Sequence, residues 1–578
     1  MSSASVWFST LRPEERQELS LLESVPLLER PDLLVIGGGI VGAGIARDAA
    51  MRGLSVALIE QGDFASGTSS KTSKLIHGGL RYLEHGHLRL VFESLRERHT
   101  LRAIAPGFVR PLSLLLPIYR GDRWASWTIH LGLWLYDLLA AGRNIRPHRM
   151  VSAQKALRLE PALRADGLRA AGLYADCHMD DARLCLANIL QAVSLGAVCG
   201  NYLRLRTLLK SNHRVCGGAV NDLLTGRTLE IQAQVVVNAT GPWADAVRRL
   251  SHTKASRKLA PAKGIHLVLP RVAQEALFVQ GRTDRRMLFL LPWGDYSLVG
   301  TTDTAVDQPL EALTAGADEV GYLLDEVNRI LPGSHVGEKD VVATFAGARP
   351  LLAFSGSSTT ASREHQIEVD RSGLISVLGG KFTTYRSMAR QAVDLVFAQG
   401  RWQTDRCLTD EVSLVETVPP VSLARWQALM RAIDPDLLAR ILVRYGAGAV
   451  RILQLIDHEP TLAHPICPHH ESSEAEIVHA FSQELACTIT DVLARRTRVA
   501  FSSCQGLDAL STITGLFRRY GGCSNEQITQ QVAQYHQFLD GGLAFRRAPA
   551  AISSAGSPTT KAGSRNWRVS TTVLRSLL

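Results

Sequence analysis

Between Asp32 and Ala50 the chain reads Asp-Leu-Leu-Val-Ile-Gly-Gly-Gly-Ile-Val-Gly-Ala-Gly-Ile-Ala-Arg-Asp-Ala-Ala, and no other stretch constrains the fold so tightly. The unbroken apolar run Leu33 to Ile36 suits a strand buried on both faces. Gly37, Gly39 and Gly42 follow at the spacing of a dinucleotide-binding turn. Gly37 permits the tight turn, Gly39 lets the backbone approach a pyrophosphate, and Gly42 lets the helix pack close to the strand. The start of that helix offers N–H groups and a positive dipole end to phosphates. Gly53 then leads into a second apolar run, Ser55 to Ile59, which ends at Glu60. A carboxylate at that strand end accepts both ribose hydroxyls of an adenosine and disfavours a 2′-phosphate. Strand, glycines, helix, strand and acid in this order predict a Rossmann-type α/β domain, which a glycine triplet alone would not.

The residues after Glu60 narrow the choice of dinucleotide. There the chain enters a polar stretch, Gly67 to Tyr82, that includes Thr68, Ser69, Ser70, Lys74 and His77, rather than another helix-and-strand crossover. Much later, Gln234 to Asn238 reads as another buried strand, closed by the small-residue turn Ala239-Thr240-Gly241. FAD-binding folds often make such a second approach to the cofactor at a strand end, whereas NAD dehydrogenases usually run their second half directly.

At 578 residues the chain exceeds one ordinary core, and 46% hydrophobic with 20% charged residues excludes wholesale disorder. A formal charge of +10 is a mild excess that suits anions or a membrane surface; no nucleic-acid partner is expected. Nine cysteines at irregular spacings do not form a disulfide framework, and with no secretory leader a reducing cytosolic environment is expected. Residues 1–31 read as an N-terminal extension, and 548–578 as a loose basic tail. The expected order is a discontinuous FAD-binding domain over 32–400, with an α+β substrate domain interleaved in it, and a helical cap over 401–547. In the cap, Ser422 to Tyr445 and Glu474 to Ala500 read as helices. His464-Pro-Ile-Cys-Pro-His-His470 resembles a metal cluster but lacks a second ligand pair, so no metal is assigned. Trp124 to Leu139 is nearly long enough to span a bilayer, yet Ser126, His130 and Asp137 would sit in hydrocarbon at real cost. Arg120, Arg123, Arg143, Arg146 and Arg149 flank it, leaving two readings open: a helix lying in the headgroup region, or a buried core helix.

Beyond the glycine turn, several strings resemble, in order, the FAD-dependent glycerol-3-phosphate dehydrogenases of the respiratory, membrane-associated type. They are Ser73-Lys-Leu-Ile-His77-Gly-Gly-Leu-Arg81-Tyr82, Tyr174 to Leu184, Asn238 to Trp243, Leu291-Pro-Trp293, Gly300 to Asp303, Ala348-Arg349-Pro350 and Gly379-Gly380-Lys381-Phe-Thr383-Thr-Tyr385-Arg386. The likeness runs from about Asp32 to Arg390 and weakly through Ala486 to Phe501. Val41, the extension at 1–31 and the long tail depart from the family pattern.

The resemblance implies FAD as cofactor and oxidation of sn-glycerol 3-phosphate to dihydroxyacetone phosphate, with hydride leaving C2 for the flavin N5. It also implies transfer of electrons to a membrane quinone, by a cytoplasmic protein held peripherally on the inner face of the cell membrane; an anionic membrane surface is thus an expected partner. The competing reading is an oxygen-using oxidase of an amine, an amino acid or glycerol phosphate, and a homodimer is left open. Arg81, Arg349 and Lys381 lie in matching motifs and are the first choices around a phosphate dianion, which needs fixed cations. Arg363, Tyr82 and Tyr385 complete the expected substrate set. Arg349 follows the apolar-leaning run Val341 to Phe345, at a strand exit where α/β sheets bind ligands. His77 and His266 are the candidate bases, because imidazole titrates near neutral pH; arginine-assisted proton transfer, with Arg349, stays open. Thr68, Ser69, Ser70 and Lys74 are assigned to the flavin or its pyrophosphate. Gly241, Gly380, Lys381 and Thr383 are assigned to further cofactor contacts.

Overall fold

The computed structural model describes residues 30–353, 364–414 and 423–547. Arg363, most of the N-terminal extension and the basic tail lie outside them. The run Leu33–Ile36 forms a central strand of a six-stranded sheet. The sheet order is His365–Val369, Ile375–Gly379, Val235–Asn238, Leu33–Ile36, Val56–Ile59, Val198–Gly200. Every pairing is parallel except that of the edge strand His365–Val369 with Ile375–Gly379. Successive residues of a strand point to opposite faces, and here both faces are dry. Leu33, Val35, Val56, Leu58, Val235 and Val237 pack against the helices Ile40–Met51, Asp181–Ser194 and Tyr385–Gly400. Leu34, Ile36, Ala57, Ile59 and Val236 meet a small antiparallel sheet of Leu203–Ser211, Arg214–Asp222 and Thr228–Gln232. That double burial is why these strands read as continuous apolar runs.

A second sheet of ten strands is assembled from Leu75–Ile76, from strands between Val109 and Met179, and from strands between Ala262 and Arg349. Its segments alternate in sequence with those of the first sheet, giving the interleaved arrangement. The helix Ala317–Ile330 covers one face, with Leu115, Ile265 and Leu267 beneath it. The helices Leu88–Ile104 and Ser126–Leu139 cover the other, over Leu114, Leu116 and Val268.

The C-terminal helices enclose a core of their own. The predicted helix Ser422 to Tyr445 is two helices, Leu423–Ala432 and Pro435–Tyr445. The break is local chemistry: Asp434 accepts the Asp436 and Leu437 N–H groups at 3.1 and 3.0 Å, and Pro435 fills the first helical position. The predicted helix Glu474 to Ala500 likewise stops at Gln483, and its second part is a wide π-type turn, Asp491–Arg496. The core around the parallel sheet also continues past 400. Arg47 of its first helix donates to the Val412 carbonyl at 2.8 Å, and Leu414 is buried in that core, so the helical unit begins after Leu414. Cys467 and His470 sit on a small hairpin, and no cluster of three metal-ligating side chains occurs among the described residues.

The segment around Trp124 forms the helix Ser126–Leu139, with one face in and one face out. Leu133 and Tyr136 are buried, whereas Trp127, Leu131, Trp134 and Leu138 are 55–71% exposed. Among the described residues no helix is long and apolar enough to cross a membrane.

Candidate active site

The glycine turn sets the geometry. A Cβ at Gly42 would lie 1.8 Å from the Gly37 carbonyl oxygen, a backbone clash no side-chain shift relieves. Gly37 itself has φ of 109°, open essentially to glycine. At Gly39 a Cβ would meet only the Ser69 hydroxyl, at 3.1 Å, so that position faces space rather than protein. The helix then starts at Ile40, whose N–H donates to Ser69 Oγ at 2.9 Å. Glu60 stands at the end of the second strand, its carboxylate accepting the Gly38 and Gly62 N–H groups at 2.7 and 2.9 Å. Burial raises its pKa against those hydrogen bonds.

Gly37, Gly39, Ile40, Glu60 and Gly62 line a cavity of about 1330 Å³, larger than a single small ligand requires, whereas Gly42 stands behind the turn. The same wall carries Thr68, Ser69, Ser70, Lys74, Gly241, Gly380 and Thr383, together with His77, Arg81, Tyr82, His266, Arg349 and Lys381. Strand ends and loops far apart in sequence thus meet at one site. Thr68 Oγ1 donates to the Ala348 carbonyl at 2.6 Å, tying its loop to the strand Ala343–Arg349. Arg349 closes that strand and bonds Asp303 at 2.8 Å and Thr301 Oγ1 at 3.1 Å, so it is an ion-pair member and a wall residue at once. Lys381 Nζ lies 3.7 Å from the centre of the Tyr82 ring and donates to Ser94 Oγ at 3.1 Å. The His77 N–H donates to Thr383 Oγ1 at 3.3 Å, joining the two most distinctive motifs.

Three expected residues differ in role. Tyr385 does not line the cavity: its ring is fully buried against Gly44, and its hydroxyl accepts a bond from Asn188 at 3.1 Å. Tyr385 therefore belongs to the core. Lys74 reaches the wall, but its ammonium bonds Asp181 and the Ser70 carbonyl, each at 2.6 Å, and so fixes the serine loop. His266 is 3% exposed, stacked on Phe345 and bonded through Nε2 to Ser73 Oγ at 2.9 Å. Burial, reinforced by Lys74 and Arg349, lowers its pKa to about 3. That suits a neutral hydrogen-bonding group better than one that carries a proton away.

Sequence reasoning missed Lys71, Arg495 and Arg498, which also line the cavity. Burial, with a smaller push from Arg495, lowers the Lys71 pKa to about 8. The two arginines come from the C-terminal helical unit, where the basic run Arg495-Arg496-Thr497-Arg498 was the only available signal.

Residues 32–394 match the profile of FAD dependent oxidoreductases, and residues 377–528 match that of the C-terminal domain of alpha-glycerophosphate oxidase. A glycerol-3-phosphate dehydrogenase of Synechocystis is 36% identical over 531 residues, covering 88% of this chain and 96% of that one. An aerobic glycerol-3-phosphate dehydrogenase of Bacillus subtilis is 34% identical, covering 81% and 86%. The chain belongs to the FAD-dependent glycerol-3-phosphate dehydrogenase family. Among solved structures, the FAD complex of the Bacillus halodurans glycerol-3-phosphate dehydrogenase superposes with a TM-score of 0.75 at 28% identity, covering 92% of this chain and 98% of that one. The family cofactor fits this site on the chain's own residues. The Gly37–Gly42 turn and helix start would cradle the pyrophosphate, Glu60 would meet the ribose, and the cavity volume admits a dinucleotide.

Proposed function

We propose that this flavoenzyme oxidises sn-glycerol 3-phosphate to dihydroxyacetone phosphate and passes the electrons to a membrane quinone. The observation that carries the reading is the convergence of Arg81, Lys381 and Arg349 with His77 on the cavity that holds the dinucleotide cradle. A phosphate dianion leaving water needs such cations: arginine grips two oxygens in one plane, and lysine adds a point charge. Asp303 and Thr301 fix the Arg349 guanidinium, and the Tyr82 ring supports the Lys381 ammonium. Prior placement of this kind lowers the entropy cost of orienting C2. When bound, FAD supplies the two-electron acceptor for the C2–H bond. His77 accepts the C2 hydroxyl proton, while neutral His266 keeps Ser73 in place. Phe289, Trp293 and Phe345 provide apolar wall around these polar groups.

Anaerobic mixing with sn-glycerol 3-phosphate is expected to bleach the flavin, and glycerol at the same concentration is expected to leave it yellow. Colour that persists with both would refute the substrate assignment. Faster reoxidation by a quinone analogue than by oxygen is the result expected for the dehydrogenase.

The helix Ser126–Leu139 supports docking of the enzyme on an anionic leaflet. Trp127, Leu131, Trp134 and Leu138 recur at intervals of four, three and four, so they share one face, and that face is exposed. Arginines 120, 123, 143, 146 and 149 flank it. Indole rings at headgroup depth with cations around them match an interfacial helix. The double variant Trp127→Ser with Trp134→Ser should weaken co-sedimentation with phosphatidylserine-containing vesicles by about a hundredfold or more, since burying a large apolar side chain contributes roughly 1.5–3 kcal/mol and two are removed. Turnover with a soluble acceptor should stay at the wild-type level. Undiminished vesicle binding would remove this face from the docking account.

A further inference from the structure

The fully buried carboxylate Asp63 takes no part in the chemistry above, yet it lies in the loop that carries the adenosine side of the cavity wall. Gln61, Gly62, Ala65 and Ser66 of that loop line the cavity. The Gly62 N–H holds Glu60 at 2.9 Å, the Ala65 N–H bonds the Gly38 carbonyl at 3.1 Å, and the Ser66 N–H bonds the Asp63 carbonyl at 3.0 Å. Asp63 is 1% exposed and receives a two-pronged bond from Arg496, at 2.7 and 2.9 Å, and a further bond from Arg495. Asn201 adds a bond at 3.2 Å. Both arginines come from the C-terminal helical unit, more than four hundred residues along the chain.

Several observations set this cluster apart from ordinary packing. Consecutive residues of an α-helix do not face the same way, but the wide π-type turn Asp491–Arg496 brings Arg495 and Arg496 onto one carboxylate. Asp491 then holds Arg495 at 2.6 Å, and the Glu484 carbonyl accepts from Arg496 at 3.1 Å, so both forks are fixed from behind. Burial alone would raise the Asp63 pKa, yet Arg496 and Arg495 bring it down to about 2, so the carboxylate stays charged at all physiological pH. Buried ions are a poor source of plain stability, since apolar residues of similar volume often serve as well. Their place beneath the cofactor loop is therefore the informative fact.

We propose that Asp63 is a positioning residue through which the C-terminal helical unit clamps the adenosine loop around FAD, coupling the fold of that unit to cofactor retention. The proposal rests on the FAD assignment. Coupling of this kind is reciprocal: if the helical unit tightens FAD, then FAD must steady the helical unit.

Two measurements on the holoenzyme test it. After dilution, FAD release followed by flavin fluorescence should be at least tenfold faster in Asp63→Asn than in the wild type. The control Glu319→Gln breaks the Lys263 pair at 2.9 Å, neither member of which lines the cavity, and should release FAD within twofold of the wild-type rate. Hydrogen exchange over residues 484–500 should slow when FAD binds the wild type, and this response should be absent in Asp63→Asn. Should that variant fail to fold, Arg496→Lys, which keeps the charge and loses the fork, is expected to release FAD several-fold faster. Release at the wild-type rate, equal acceleration in Glu319→Gln, or exchange indifferent to FAD would each overturn the clamp alone. A wild-type protein that binds no FAD would overturn the cofactor assignment, and the clamp with it.

Discussion

Replacing His77 by alanine is expected to lower kcat by on the order of 10²–10⁴-fold, the usual contribution of a positioned general base, with the flavin content of the purified protein unchanged. The geometry separates the two roles. His77 leaves the short strand Leu75–Ile76 half-buried on the cavity wall, its ring edge against Phe289 with centroids 6.2 Å apart. Its backbone, not its ring, makes the bond to Thr383. Removing the imidazole therefore leaves the link between the two motif loops in place. The same substitution at His266 would remove a neutral ring that packs on Phe345 and holds Ser73, and it should cost stability more than turnover. Steady-state kcat, measured beside the ratio of flavin to protein absorbance, checks both. Turnover of His77→Ala within threefold of wild type would exclude it as the base, and a proton path through a guanidinium would take its place.

The contrast between these histidines also marks what the sequence could disclose. Strands buried on both faces announce themselves as apolar runs, so Leu33–Ile36, Val56–Ile59 and Val235–Asn238 were legible within a residue or so. Glycine spacing disclosed the tight turn and the close helix behind it, because backbone geometry there admits little else. Motif membership, by contrast, says that a residue is near a site but not which way it points. Tyr385 follows Lys381 by one turn, yet it opens the helix Tyr385–Gly400 and turns its ring into the core. Lys74 sits in the right string, but Asp181, distant in sequence, takes up its charge. The contribution of Arg495 and Arg498 was hidden for the same reason, since no local pattern records a contact across most of the chain. The amphipathic character of Ser126–Leu139 was half legible: its aromatic and basic residues were evident, but which of them would be left uncovered depended on the sheet beneath.

The glycines of the turn give the sharpest test of the cofactor site, because two of them should fail in different ways. Gly42→Ala places a methyl group 1.8 Å from a carbonyl oxygen, so the helix Ile40–Met51 must move away from its strand. Overpacking of this kind costs roughly 1–3 kcal/mol, and here both colliding partners are backbone or fixed to it, which sets the expectation at the upper end. The apoprotein should melt several degrees lower, and FAD should bind on the order of a hundredfold more weakly, because the displaced helix start is also the phosphate cradle. Gly39→Ala meets only the Ser69 hydroxyl at 3.1 Å, which need yield only slightly and can keep its bond from the Ile40 N–H, so the apoprotein should melt within a degree or two of wild type. Its loss should appear only when FAD is added, since the new methyl group occupies the space a pyrophosphate needs. Apoprotein melting curves and FAD titrations of the two variants distinguish the cases. If Gly39→Ala binds FAD as tightly as wild type, the pyrophosphate does not lie against this turn. If Gly42→Ala melts at the wild-type temperature, the close approach of helix and strand is not what that glycine secures.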